Sequence, residues 1–141
     1  MTAGGPAERD ESLGRHHRVR RRPEYLRSYR EGRRRGGNLA TLFYVPNALD
    51  HSRLGVTASR KVGGAVVRQR LKRQVREIYR RWDRRGDLPA FDLVVNLKPT
   101  AATARFDELR RELERQLGDL LPGSRRHRSG GRSEGSRRAD P

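Results

Sequence analysis

Residues 59–81 read SRKVGGAVVRQRLKRQVREIYRR, with nine Lys or Arg against a single Glu. An apolar pattern of helical period survives inside this run and just beyond it. Val67, Leu71, Val75, Ile78 and Trp82 recur at steps of four, four, three and four, which at ~100° per residue is an arc of about 80°. Opposite that arc lie Gln69, Arg73, Arg76 and Arg80, with Arg68, Arg70, Lys72 and Arg81 towards the flanks. The spacing predicts a helix over 65–82 that packs one face on a sheet and offers the other as a continuous cationic surface. A basic run that keeps a dry face is a folded binding surface for a polyanion, not merely a charged tail.

Upstream, RLGVTAS (53–59) alternates Leu54, Val56 and Ala58 with Gly55 and Thr57, and LATLFYVP (39–46) is rich in β-branched and aromatic residues. Both read as strands. A short polar turn over 47–52 joins them, and the expectation is an antiparallel pair. RRRGG (33–37) reads as a loop or a poor strand. Before it, Pro23 suits the first turn of a short helix that sets Tyr25 and Tyr29 on one face and ends at Gly32. Residues 15–22 form a basic arm.

Downstream, Gly86 and Pro89 break the chain before a short apolar strand, FDLVVNL (91–97). A last helix over 104–121, with Thr103 as N-cap, carries Phe106, Leu109, Leu113, Leu117 and Leu120 on one stripe. Four Arg and five Asp or Glu leave this helix near neutral, which assigns it to the scaffold and leaves 65–82 and the arm as the binding side. Residues 1–14 and 122–141 show no sustained apolar period and are expected to be disordered tails around one domain, 15–121. The element order gives an α+β sandwich of helices against a small sheet.

Composition narrows the partner. The chain has 141 residues, a formal charge of +17 and 32% hydrophobic residues, enough for one domain with a small core. The basic segments hold Gln and Arg in excess of bulky membrane-seeking residues, so nucleic acid is favoured over anionic lipid. There is no Cys, hence no disulfide and no thiolate metal site. No apolar run approaches the roughly 20 residues of a membrane span and no secretory signal is evident, so a soluble cytoplasmic protein is expected.

Lys61-Val62-Gly63-Gly64 precedes the basic helix. It reads either as an ordinary glycine turn or as a phosphate cradle in which backbone N–H groups of the turn and of the first helical turn converge with Arg60, Lys61, Arg68 and Arg70. Along 68–73, like charges at i, i+3 and i+4 repel and only Glu77 offsets them, so relief by a ligand is expected. Tyr25, Tyr29 and one of Phe43 or Tyr44 are placed to stack unpaired bases or, equally, to fill the core. Which of Phe43 and Tyr44 faces outward depends on strand register. No catalytic or metal-binding constellation is evident. His16, His17, His51 and His127 lie in arms or loops without carboxylates at metal-ligand or triad spacing.

Residues 53–81 resemble the bacterial ribonuclease P protein component, whose signature joins a glycine-valine strand, a basic turn, Gly-x-Ala-Val and a basic Arg-Asn-Arg-x-x-Lys-Arg helix. Glu24-Tyr25, the Tyr29-Arg30-Glu31-Gly32 stretch and FDLVVNLKPTA (91–101) extend the resemblance to about 15–121. Gln69 departs from the usual Asn, keeping the amide but lengthening the arm by one carbon. Arg60 replaces the usual Lys.

The resemblance implies an α+β fold in the order αβββαβα, of the ribosomal-protein-S5-domain-2 type, with four strands and a left-handed crossover; three strands are clear from the residues themselves. It further implies the protein subunit of a ribonucleoprotein endonuclease that removes the 5′ leader from precursor tRNA. Mg2+ would be held mainly by the RNA, catalytic groups would lie in the RNA, and no obligate protein partner is expected. Arg60, Lys61, Arg68, Gln69, Arg70, Lys72, Arg73 and Arg76 would contact the catalytic RNA. Tyr25, Tyr29, Phe43 and Tyr44 would be the candidates lining a cleft for the single-stranded leader. Two rivals share the charge: a structural RNA-binding protein of ribosomal type, and a DNA-binding regulator, for which no second helix at helix-turn-helix spacing is found.

Overall fold

A computed structural model describes residues 14–123. Three helices and four strands follow in the order α1 (Arg22–Glu31), β1 (Arg33–Arg35), β2 (Ala40–Pro46), β3 (Arg53–Ala58), α2 (Ala65–Arg81), β4 (Phe91–Leu97) and α3 (Phe106–Gly118). Short 3-10 turns occupy Arg15–His17, Arg85–Asp87 and Pro99–Thr103. The poor strand at 33–35 forms as β1, pairing antiparallel with β2, and completes a four-stranded sheet. The expected tails lie outside the described residues except for Gly14, Pro122 and Gly123.

The sheet order is β1-β2-β4-β3, so the expected β2–β3 hairpin is corrected. β4 inserts between them, antiparallel to β2 and parallel to β3. The reason lies in its residues. Leu93, Val94 and Val95 are all buried, so the middle of β4 is covered on both faces and takes a central position, whereas β3 carries Gly55 and Thr57 on one face and suits an edge. Residues 47–52 instead cross the end of β4, where the Asn47 N–H donates to Ala90 O.

The strand alternation divides the sheet into two faces. Leu42, Tyr44, Leu54, Val56, Leu93, Val95 and Leu97 face the main core with Leu71, Val75, Ile78 and Tyr79 of α2 and Leu109, Leu113 and Leu117 of α3. Val67 and Trp82 of the expected stripe pack at its margin. The last helix starts at Phe106, not Ala104, and Thr103 belongs to the preceding 3-10 turn, so it is not the N-cap. Phe106 is exposed. On that helix Glu112 is buried, and its carboxylate accepts the N–H groups of Asn38, Leu39 and Ala40 at 2.9–3.0 Å. Those donors lie in the β1–β2 connection and at the start of β2, where the buried carboxylate supplies acceptors.

α1 packs on the opposite face. Tyr25 lies over β3, and a Cβ at Gly55 would sit 2.7 Å from its ring. Only glycine permits that approach. A charged network holds the first turn of α1 to the sheet. Arg53 donates to Asp92 through Nε (2.9 Å) and Nη2 (2.7 Å) and to Glu24 through Nη1 (3.2 Å), while Asn47 Nδ2 donates to Asp92 Oδ1 (2.9 Å). Burial pushes the Asp92 carboxyl up, but the Arg53 and Asn47 hydrogen bonds outweigh it and hold it below the ordinary range. Glu24 is likewise depressed: the N–H groups of Arg21 and Arg20 and the Arg53 charge overcome its desolvation.

Candidate nucleic-acid interface

The turn at 59–64 uses most of its own donors. Val62 N–H bonds Ser59 O, and Gly63 N–H bonds Arg60 O, while Lys61 N–H reaches Ser59 Oγ. Of the N–H groups expected to form a cradle, those of the turn are therefore used internally and those of the first helical turn remain. Gly64, the N-cap of α2, contributes no side-chain acceptor, the first turn has no acidic residue, and the first main-chain bond of the helix is from Arg68 N–H to Gly64 O. The N–H groups of Ala65, Val66 and Val67 thus point out of an uncapped, electropositive helix end. Gly63, at φ +157°, places its carbonyl beside that end, and Arg68 Nε donates to it at 3.1 Å. The Arg68 fork is fixed there.

Arg70 is braced on the opposite flank, where Nη2 donates to Ala102 O at 3.2 Å. Arg60, Lys61, Gln69 and Arg73 are exposed and Lys72 and Arg76 half-buried. Among the described residues, none of Arg60, Lys61, Arg68, Arg70, Lys72, Arg73 and Arg76 has a carboxylate partner. Arg80 and Arg81 differ, because Glu77 pairs with both. Arg76 is shifted down by burial first, then by the charges of Arg18 and Arg73. A guanidinium stays charged regardless, so this is a point of unrelieved positive potential.

Around the edge of β3 from this surface lies the α1 side of the sheet. Tyr29 meets Phe43 edge to face at 4.8 Å, and its hydroxyl is 2.9 Å from Thr57 Oγ1. Tyr44 belongs to the core, 3% exposed and edge-on to Phe91, so of the two candidates on β2 it is Phe43 that stands beside Tyr29. Tyr25 is half-buried over Gly55, and its hydroxyl donates to Val19 O at 2.9 Å. Thr41, Asn96 and Thr57 come into register across β2, β4 and β3 on the same side as Phe43. All three are only half-buried. This polar row was missed because it exists only once the strand order is known.

A cationic helix face next to a sheet face with half-buried aromatics and a polar row defines an RNA-binding protein: fixed charge suits phosphates, and the aromatic surface suits unstacked bases. The family profile described as Ribonuclease P matches residues 13–121. A ribonuclease P protein component from Coxiella burnetii (strain Dugway) is 40% identical over 113 residues, covering 79% of this chain and 92% of the relative. Another, from Thermotoga maritima, is 42% identical over 86 residues, covering 60% and 72%. Among solved structures, the ribonuclease P protein of Thermotoga maritima aligns with a TM-score of 0.64 at 34% identity, covering 71% of this chain and 94% of that one. That of Staphylococcus aureus aligns at 0.68 and 25%, covering 74% and 97%. The chain belongs to the ribonuclease P protein family and is the protein subunit of that tRNA-processing ribonucleoprotein endonuclease.

Proposed function

We propose that the domain over 15–121 seats the α2 face on the catalytic RNA and receives the single-stranded 5′ leader of precursor tRNA on the open part of the α1 side of the sheet. Arg60, Lys61, Arg68, Gln69, Arg70, Lys72, Arg73 and Arg76 are the RNA contacts in this reading. The observation that carries it is the set of seven cations on α2 and its preceding turn that have no carboxylate partner among the described residues, two of them braced by backbone carbonyls. Helix and turn arrive already charged and ordered, so little entropy is lost when phosphates dock. Gln69, exposed between Arg68 and Arg70, offers an amide to a ribose or base edge.

Tyr29 and Phe43 present ring surface for unstacked bases, with Tyr25 as the neighbouring wall and Thr41, Asn96 and Thr57 as hydrogen-bonding partners. Contacts to a leader that mature tRNA lacks favour substrate over product. Among the described residues no group of three or more His, Cys, Asp or Glu gathers to hold a metal ion. In this proposal the Mg2+ that supports hydrolysis is held by the RNA. The chain acts by neutralising phosphates and positioning the leader. No helix among the described residues is long and apolar enough to cross a membrane, and work on tRNA precursors in the cytoplasm belongs to the same proposal.

The test is the affinity of reconstituted holoenzyme for precursor and mature tRNA. Tyr29→Ala and Phe43→Ala each weaken precursor binding by about 5- to 150-fold, the worth of one base–aromatic stack, and leave mature tRNA binding unchanged. Equal losses for both ligands overturn the leader assignment.

A further inference from the structure

The histidines of the arm and of the 47–52 segment, dispersed in sequence, meet in the structure. The arm runs beside the edge strand β3: Arg18 forms a parallel bridge with Leu54, Val19 N–H donates to Leu54 O at 2.9 Å, and Tyr25 donates to Val19 O. Just before this bridge, the ring of His51 spans two groups. Its Nδ1 is 2.8 Å from Asp50 Oδ1, and its Nε2 is 2.7 Å from the backbone oxygen of His16. A carboxylate and a carbonyl are both acceptors with no proton to give. Each ring nitrogen must therefore donate, and only the imidazolium has two N–H groups.

We propose that His51 is the positioning residue of the N-terminal arm: as an imidazolium it clasps the His16 backbone, seats the arm on β3, and holds Arg18 beside Arg76 as an extension of the phosphate-binding surface of α2. This rests on the RNA-binding reading for its consequence but not for its geometry. Electrostatic proximity already links Arg18 with Arg76. α2 packs on β3 and the arm pairs with β3, so one strand carries both cationic elements.

The surrounding groups give the clasp a pH window. Asp50 and the His16 carbonyl raise the His51 pKa, against burial and the Arg53 charge. His17 moves the other way, lowered by burial and then by His16, His51 and Arg85, with Ser52 opposing. The rings of His16 and His17 lie 5.9 and 4.8 Å from that of His51. A raised His51 pKa stabilises the docked arm below the ordinary histidine value, and that stabilisation is lost as pH rises through the raised value. A lowered His17 pKa leaves docking unpenalised above the ordinary value and weakens it as pH falls below. The two effects cross at the ordinary histidine pKa of about 6.5, and the arm is seated most firmly around that pH.

The experiment uses the full chain without RNA first. Imidazole 15N resonances report the charge on His51, and the exchange protection of the Val19 amide reports arm docking. Protection falls by about tenfold as pH rises through the His51 transition, the effect of losing one charge-assisted hydrogen bond. Asp50→Asn moves that fall to lower pH, and His51→Ala removes it. A His51 that titrates at or below the ordinary value, or Val19 protection that ignores its charge, overturns the proposal. With the catalytic RNA added, His51→Ala at neutral pH weakens binding by a few-fold up to about tenfold. Normal RNA affinity in that variant overturns the arm's part in the interface. Loss of RNA binding on replacing Arg68 and Arg73 supports the α2 reading separately, so the two fail independently.

Discussion

Replacing Arg68 and Arg73 together with Ala tests whether charge on α2 is placed for phosphates or merely present. If all seven cations without a carboxylate partner among the described residues, Arg60, Lys61, Arg68, Arg70, Lys72, Arg73 and Arg76, displace counterions, log K against log salt has a slope of about −6, at ~0.9 per contact on a duplex. The double variant retains five contacts and a slope of about −4.5. Between 50 and 200 mM salt the parent then loses roughly 6,000-fold in affinity and the variant roughly 500-fold. The control removes the same charge elsewhere. Arg80→Ala with Arg81→Ala deletes two cations that Glu77 already pairs, and the slope moves by less than about 1. Filter binding or fluorescence titration of the catalytic RNA across that salt range measures all three. Equal slope changes in the two double variants would refute the reasoning, because net charge alone would then explain binding.

Two further outcomes follow from the α1 side. Asp92→Asn leaves Arg53 with Glu24 as its only carboxylate among the described residues and costs about 2–3 kcal/mol in urea unfolding at pH 7. Because the Asp92 pKa is depressed in the fold, its stabilisation is present above the ordinary value of about 3.9 and lost as pH falls through the native one, so the parent's advantage over Asp92→Asn shrinks below about pH 4. Gly55→Ala drives a methyl into the Tyr25 ring, 2.7 Å away. It displaces Tyr25 and the Val19 carbonyl it binds, lowering Val19 amide protection and precursor affinity together, while the salt slope falls by no more than the ~0.9 of one lost contact at Arg18.

The α2 helix was legible because its stripe is continuous: Leu71, Val75 and Ile78 are buried where the period puts them. Tyr79 widens the stripe, and nothing local shows that its hydroxyl meets Ser52. Adjacency in the chain suggests a β2–β3 pair, whereas the consecutive run Leu93, Val94 and Val95, buried on both faces of the sheet, marks 91–97 as a central strand. Phe43 and Tyr44 could not be separated without the register that sends Tyr44 into the core. Nothing in the sequence sets Glu112 apart from the other acids of α3, yet it lies at a buried point of the helix and bonds backbone up to 74 residues away. The His51 clasp joins groups that are 35 residues apart. Periodicity reports which face is dry, whereas buried polar groups are explained by partners that only the tertiary structure supplies.

The most direct measurement is reconstitution with the catalytic RNA at limiting Mg2+, following release of the 5′ leader from precursor tRNA. By supplying cations that replace counterions at the RNA surface, the full chain stimulates cleavage there, and the chain carrying Arg68→Ala and Arg73→Ala stimulates it less. Cleavage by the RNA that is the same with and without the chain would contradict the account.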